Sequence, residues 1–188
     1  MSGRSAEVAE TLHRRKIDVC SVQETIRTGS GARGMGKGMS RYKFFWQGCK
    51  DSSAGVGLLI SDRWIDRIID VKRVNECIMC LKVLIGDKLV TCICAYAPQT
   101  GRSAQEKGCF GYQMLNVTGN IPAMEIVVGG DLTGHVDANA DGYDDVQGGY
   151  SFRERNADGE RLLEFCDAVE LIAANTYLRG KRINWLVA

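Results

Sequence analysis

The sequence predicts a single α/β domain over residues 1–188, and three stretches carry that prediction. Residues 78–85 and 88–96 are apolar, β-branched runs joined by Gly86-Asp87, a short turn containing glycine and so a hairpin signal. Residues 125–129 (EIVVG) form a brief apolar run, as a strand buried on both faces does. Residues 158–169 show helical periodicity, with Leu162, Leu163, Phe165 and Cys166 inward. A chain of 188 residues that is 45% hydrophobic and 25% charged can bury one core. No internal repeat, linker or low-complexity tract divides it.

In order along the chain, residues 6–16 read as a helix, with Ser5 in the cap position and Val8, Ala9 and Leu12 on one face. Residues 17–22 (IDVCSV) read as a short strand, followed by a glycine-rich loop over 28–40. Strands are then expected at 42–47, 55–60, 67–74, 78–85 and 88–96. Residues 103–115 give a weaker helix, interrupted by Gly108 and Gly111, because interior glycine costs roughly 1 kcal/mol. Residues 137–150 read as loop, and 171–174 and 182–187 as short strands.

Lys+Arg number 24 and Asp+Glu 23, a net charge of +1, so any nucleic-acid partner must meet a local basic patch. The segment 27–43 supplies one: Arg27, Arg33, Lys37, Arg41 and Lys43, with no acid among them. Such a segment either contacts backbone phosphates without reading sequence or is merely solvated. Eight cysteines would suit a secreted disulfide framework, yet the start MSGRSAEVAETLHRRK has no apolar signal core. No apolar run is long enough to span a membrane. Cys20, Cys80, Cys92, Cys94 and Cys166 lie inside apolar segments, where a thiol behaves as a small hydrophobe. The expected setting is reducing and intracellular, the nucleus included, where the sequon at Asn116 stays unused.

Chemistry is expected at three strand ends. Gln23-Glu24-Thr25 follows IDVCSV, Tyr96-Ala97-Pro98 follows VTCICA, and Gly130-Asp131-Leu132-Thr133-Gly134-His135 follows EIVVG. A carboxylate just beyond a buried strand is held rigidly, and two on neighbouring strands can share a hard cation. Spacing alone favours the plainer reading of Glu24 and Asp131 as loop acids. Other motifs are weaker. The glycines at 29, 31 and 34 fit a dinucleotide fingerprint but lack the strand before and the helix after. Residues 137–142 open like a calcium loop, but Gly148 stands where the bidentate Glu belongs. Cys77/Cys80 and Cys92/Cys94 have zinc-like spacing but fall among strands rather than knuckle turns.

The set VQET, GVGLLIS, AYAP, GGDLTGHVD, GGYSFRERNADGERLLEF and AANTY runs in this order over nearly the whole chain. It resembles the endonuclease domain of RTE-type retrotransposons, in the endonuclease/exonuclease/phosphatase superfamily. The resemblance implies a DNase I-like α/β/β/α four-layer sandwich and hydrolysis of DNA phosphodiesters to leave a 3′-hydroxyl. It implies Mg²⁺ (or Mn²⁺) held by Glu24, a water oriented or deprotonated by Asp131, and Tyr96 against the scissile phosphate. Arg155-Asn156 and Gly159 match the family's R-N-x-x-G, which would place Asn156 in the substrate groove; as plain sequence, Asn156 is equally a helix cap.

The chain departs from that pattern in three places. The family's first strand, ending in Trp-Asn, precedes the point where this sequence begins. Thr133 stands where the family motif Gly-Asp-Leu-Asn-Gly has Asn. The family's Ser-Asp-His segment lies beyond RINWLVA. An amide both donates and accepts and reaches further than a threonine hydroxyl. His13, on the first helix, and His135 are the only histidines, and neither stands in the family's catalytic position. Loss of one charge-stabilising group typically lowers rate by ~10²–10³. The expectation is therefore an incomplete and weak or inactive nuclease. The alternative is a non-catalytic remnant that binds DNA or protein through the same face.

Overall fold

The computed structural model describes residues 2–50, 54–150, 154–177 and 185–187. They fall into two compact units, Met1–Tyr96 and Ala97–Ala188. No described helix is long and apolar enough to cross a membrane.

The first unit is a helix on two sheets. Helix α1 (Ser2–Arg14) precedes a wholly antiparallel sheet in the order β1-β4-β3-β2. Its strands are β1 (Val19–Gln23), β2 (Ser30–Met35), β3 (Tyr42–Gly48) and β4 (Gly55–Ser61). β5 (Ile68–Asn75), β6 (Ile78–Ile85) and β7 (Lys88–Tyr96) follow as an antiparallel meander. Strand periodicity explains how the sheets meet. Val56, Leu58 and Ile60 alternate onto one face of β4 and pack with Phe45 against Met79, Leu81, Val83, Cys92 and Cys94. Burying each large side chain contributes roughly 1.5–3 kcal/mol. Leu59 points the other way and, with Tyr42 and Phe44, meets Ala9 and Leu12 of α1. β4 is thus apolar on both faces because both are covered.

Helix α1 ends in a six-residue cap: Ile17 N donates to Leu12 O at 2.9 Å and Lys16 N to His13 O at 2.9 Å. Lys16 takes the left-handed position, φ 56°. One expectation needs correction here. The segment read as a glycine-rich loop over 28–40 contains β2, which pairs residue for residue with β3 from Ser30↔Gln47 to Met35↔Tyr42. Its SGARGM sequence has no alternation because the strand lies at the sheet edge and is largely exposed.

The second unit holds α2 (Ala104–Thr118), β8 (Ile126–Asp131), α3 (Ala157–Ala168) and β9 (Trp185–Val187), the last antiparallel to β8. α2 runs three residues beyond the predicted end despite its glycines. Ser103 and Glu106 form a reciprocal capping box: Glu106 N donates to Ser103 Oγ at 3.2 Å and Ser103 N to Glu106 Oε2 at 2.9 Å. Met114 of α2 and Leu163 and Cys166 of α3 are buried. Leu162 and Phe165, expected inward, instead line a cavity with Phe110 and Met114. The strand expected at 171–174 is not one. Ala173 makes only an isolated bridge to Gln147, and a 3-10 turn takes over at Ala174–Tyr177. Of the strand expected at 182–187, residues 182–184 lie outside the described residues.

Candidate functional site

β1 delivers Glu24 one residue past its last ladder pair, Gln23↔Val56. The chain bends hard there, with Glu24 at φ 50° and Ile26 at φ 49°. Non-glycine residues at positive φ are uncommon and cost about 1–2 kcal/mol, so the surroundings must impose them. Two glycines do. Gly48 and Gly55 face each other at the end of the β3–β4 ladder. A β-carbon on Gly48 would lie 1.7 Å from the Arg27 carbonyl oxygen, and one on Gly55 would lie 2.5 Å from Thr25 Oγ1. Thr25 N donates to Gly55 O at 3.2 Å.

β7 brings Tyr96 to the same place. Tyr96 N donates to Cys77 O at 2.9 Å, and its phenol donates to Glu24 Oε1 at 2.7 Å. Gln23 Nε2 donates to Cys94 Sγ at 3.4 Å, and that thiol donates to Val22 O at 3.5 Å, which ties the two strand ends together. Glu24 is exposed, and its second oxygen takes no hydrogen bond among the described residues. Beside it the Thr25 hydroxyl is buried without a hydrogen-bond partner among the described residues. An oriented carboxylate with an open oxygen fits a hard cation. No three His, Cys, Asp or Glu side chains converge among the described residues. A cation at Glu24 would therefore draw its other ligands chiefly from water and phosphate, as Mg²⁺ commonly does.

In the second unit Asp131 ends β8 and is exposed. Its backbone oxygen accepts from Ala97 N at 2.8 Å, and its Oδ1 accepts from Thr133 N at 3.1 Å. Thr133 sits at φ 53°, and its hydroxyl donates to Pro98 O at 3.3 Å. The R-N-x-x-G motif shapes this loop. Asn156 caps α3, its Oδ1 accepting from Gly159 N at 2.8 Å and from His135 N at 3.1 Å. Gly159 admits the His135 carbonyl, which would lie 1.9 Å from any β-carbon there. The capping alternative for Asn156 is what this geometry shows. Lys107 of α2 and Asp158 of α3 form a nearly buried ion pair at 2.8 Å beside Thr133, a feature the sequence reading missed because 51 residues separate them.

The basic segment is less uniform than its sequence. Arg27 lies over Trp46 and Phe44, Lys43 over Phe45, and Arg41 lies 3.6 Å from Asp62, while Arg33 and Lys37 are exposed. His13 is exposed on α1. In the calcium-like loop, Arg155 Nη2 donates to the carbonyls of Asn139 (2.8 Å) and Ala140 (3.2 Å), so a guanidinium holds acceptors that a cation would need. All eight cysteines are free thiols; Cys92 and Cys94 belong to the core, and Cys77 lies in the β5–β6 turn.

No protein-family model matches the chain, and no curated protein matches it. Solved structures do. The endonuclease domain of TRAS1, a telomere-specific non-LTR retrotransposon, is similar over 89% of this chain and 65% of its own, at 15% identity and a TM-score of 0.57. The AP endonuclease LMAP from Leishmania major is similar over 91% of this chain and 62% of its own, at 10% identity and a TM-score of 0.61. The chain thus spans less than two thirds of either structure's length. At such identities the likeness establishes the fold, an α/β sandwich of the DNase I-like class.

Proposed function

We propose that this chain is a divalent-metal-dependent phosphodiesterase acting on DNA, an endonuclease of retroelement origin with reduced turnover. One observation carries the reading: residues 72 apart in sequence, Glu24 and Tyr96, meet at two strand ends through a 2.7 Å hydrogen bond. Glu24 is held there at positive φ with one oxygen open. Such strain at a polar residue points to function. The sequence motifs and the likeness to two endonuclease structures support the same class.

In this reading Glu24 holds Mg²⁺, with Mn²⁺ as a substitute. The ion would offset phosphate charge and lower the pKa of water. Tyr96 orients the Glu24 carboxylate by donating to Oε1, and its phenol lies beside the scissile phosphate. Asp131 orients or deprotonates the attacking water, its Oδ1 held by the Thr133 amide. Thr133 limits the rate, because its hydroxyl is turned onto the Pro98 carbonyl and does not do the work of an amide.

The test is nicking of supercoiled plasmid by the purified chain with Mg²⁺. Slow nicking that vanishes in Glu24→Gln and in Asp131→Asn is expected. Nicking that survives Glu24→Gln would sink the assignment. The engaged Thr133 hydroxyl also favours a second reading, a DNA-binding remnant without catalysis; a gel shift with no nicking at any metal concentration would select it.

A further inference from the structure

We propose that Arg27 is a preorganised phosphate clamp, a nucleic-acid backbone site that guides a strand toward Glu24; this rests on the nuclease reading above. Its guanidinium carbon lies 4.7 Å from the centroid of the Trp46 ring and 5.6 Å from that of Phe44. The two rings are themselves stacked, 5.7 Å apart and 28° from parallel. Both rings press onto the sheet because glycines flank them. Gly31 and Gly57 stand opposite Trp46 on its two neighbouring strands. A β-carbon on Gly31 would come within 2.4 Å of the Trp46 ring, and one on Gly57 within 2.4 Å of Phe44. Arg73 of β5 fastens β3 to β2, donating from Nε to Trp46 O at 3.3 Å and from Nη2 to Gly31 O at 3.2 Å. The result is three tiers: glycine backbone, aromatic ring, cation.

Packing alone does not account for how Arg27 is left. Among the described residues no carboxylate, carbonyl or hydroxyl engages any of its five N–H donors. A guanidinium held over aromatic rings and bonded to no acceptor keeps its N–H fork open, and that fork matches two phosphate oxygens. The other basic residues of the segment differ. Arg41 is partly neutralised by Asp62, and Arg33 and Lys37 are exposed. Arg27 is three residues from Glu24, and its carbonyl is wedged against Gly48, so its position is fixed relative to that carboxylate. The ligand class is the phosphodiester backbone, bound without regard to sequence.

The experiment is a fluorescence-anisotropy titration of labelled duplex DNA without metal, over a salt series, in the Glu24→Gln background. Adding Arg27→Met should weaken binding about tenfold and flatten the slope of log affinity against log salt by about 1. Arg27→Lys should keep the slope but not the affinity, because an ammonium cannot form the bidentate contact. Arg41→Met should weaken binding less than Arg27→Met. Circular dichroism checks each fold; should Arg27→Met not fold, the Lys variant decides, and parental affinity there overturns the clamp. Equal affinity and slope for Arg27→Met and its parent overturn it too, as does absence of binding by the parent. Nicking by the unmutated chain is scored separately: Arg27-dependent binding with no nicking ends the nuclease reading and leaves the clamp standing.

Discussion

Glu24 and Thr133 share an uncommon backbone, at φ 50° and 53°, and they differ in how well their side chains suit it. Threonine is β-branched and a poor occupant of the left-handed region, whereas asparagine visits it readily. Thr133→Asn should therefore raise stability by about 1 kcal/mol, less the weak bond to Pro98, seen as a higher urea midpoint at unchanged slope. It should also speed plasmid nicking. A lower midpoint would show that the threonine is accommodated by something other than tolerated strain. Tyr96→Phe leaves Glu24 Oε1 without its donor, and nicking should fall about tenfold, less than the ~10²–10³ expected for Glu24→Gln. Glu24, Tyr96 and Asp131 were all legible as polar residues at strand ends. The positive φ values were not, because neither a glutamate nor a threonine announces left-handed backbone as a glycine would.

At the scale of elements, the C-terminal caps of α1 and α3 both lack the glycine that suits them. α3 ends as α1 does, with Leu171 N donating to Cys166 O at 2.8 Å, Glu170 N to Asp167 O at 3.2 Å, and Glu170 at φ 56°. Lys16→Gly and Glu170→Gly should each raise stability by about 1 kcal/mol, measured by thermal or urea unfolding. Ser103→Ala should lower it by about 1 kcal/mol through loss of the capping box. That box was written in the sequence as Ser103-x-x-Glu106, yet the glycines at 108 and 111 drew the reading toward a weak helix. Nothing lies within 4 Å of a β-carbon at either glycine. Gly108→Ala should thus be stabilising by up to about 1 kcal/mol. β6 and β7 were legible to the residue, since their patterns are set by a core on at least one face. β2 was not: SGARGM, an exposed edge strand, carries no periodicity, and only its pairing with β3 defines it.

Cys80, Cys92, Cys94 and Cys166 are buried thiols, and this gives the molecule a pH limit. Burial pushes the Cys80 and Cys166 thiols up to about 12 and those of Cys77 and Cys92 to about 11, with the nearby Glu76 and Cys49 adding to the shift at Cys77. In the unfolded chain these groups ionise near 9.0. Above that pH the unfolded state sheds protons that the native state keeps, so stability is complete below about 9 and falls as pH rises toward 12. Unfolding midpoints at pH 8, 10 and 11 should decline in that order; a flat series would contradict the buried assignment. The packing of two sheets was an expectation of the family resemblance rather than of any pattern in the residues, and the division into two compact units left no mark in composition. One small feature has genealogical reach. Gly48 and Gly55 have no side chain and bear no charge, yet a methyl group at either would displace the segment that carries Glu24. On the proposed nuclease reading, related chains that have lost cleavage should lose these two glycines at the neutral rate, while those that retain it should keep both even as the exposed positions around them drift.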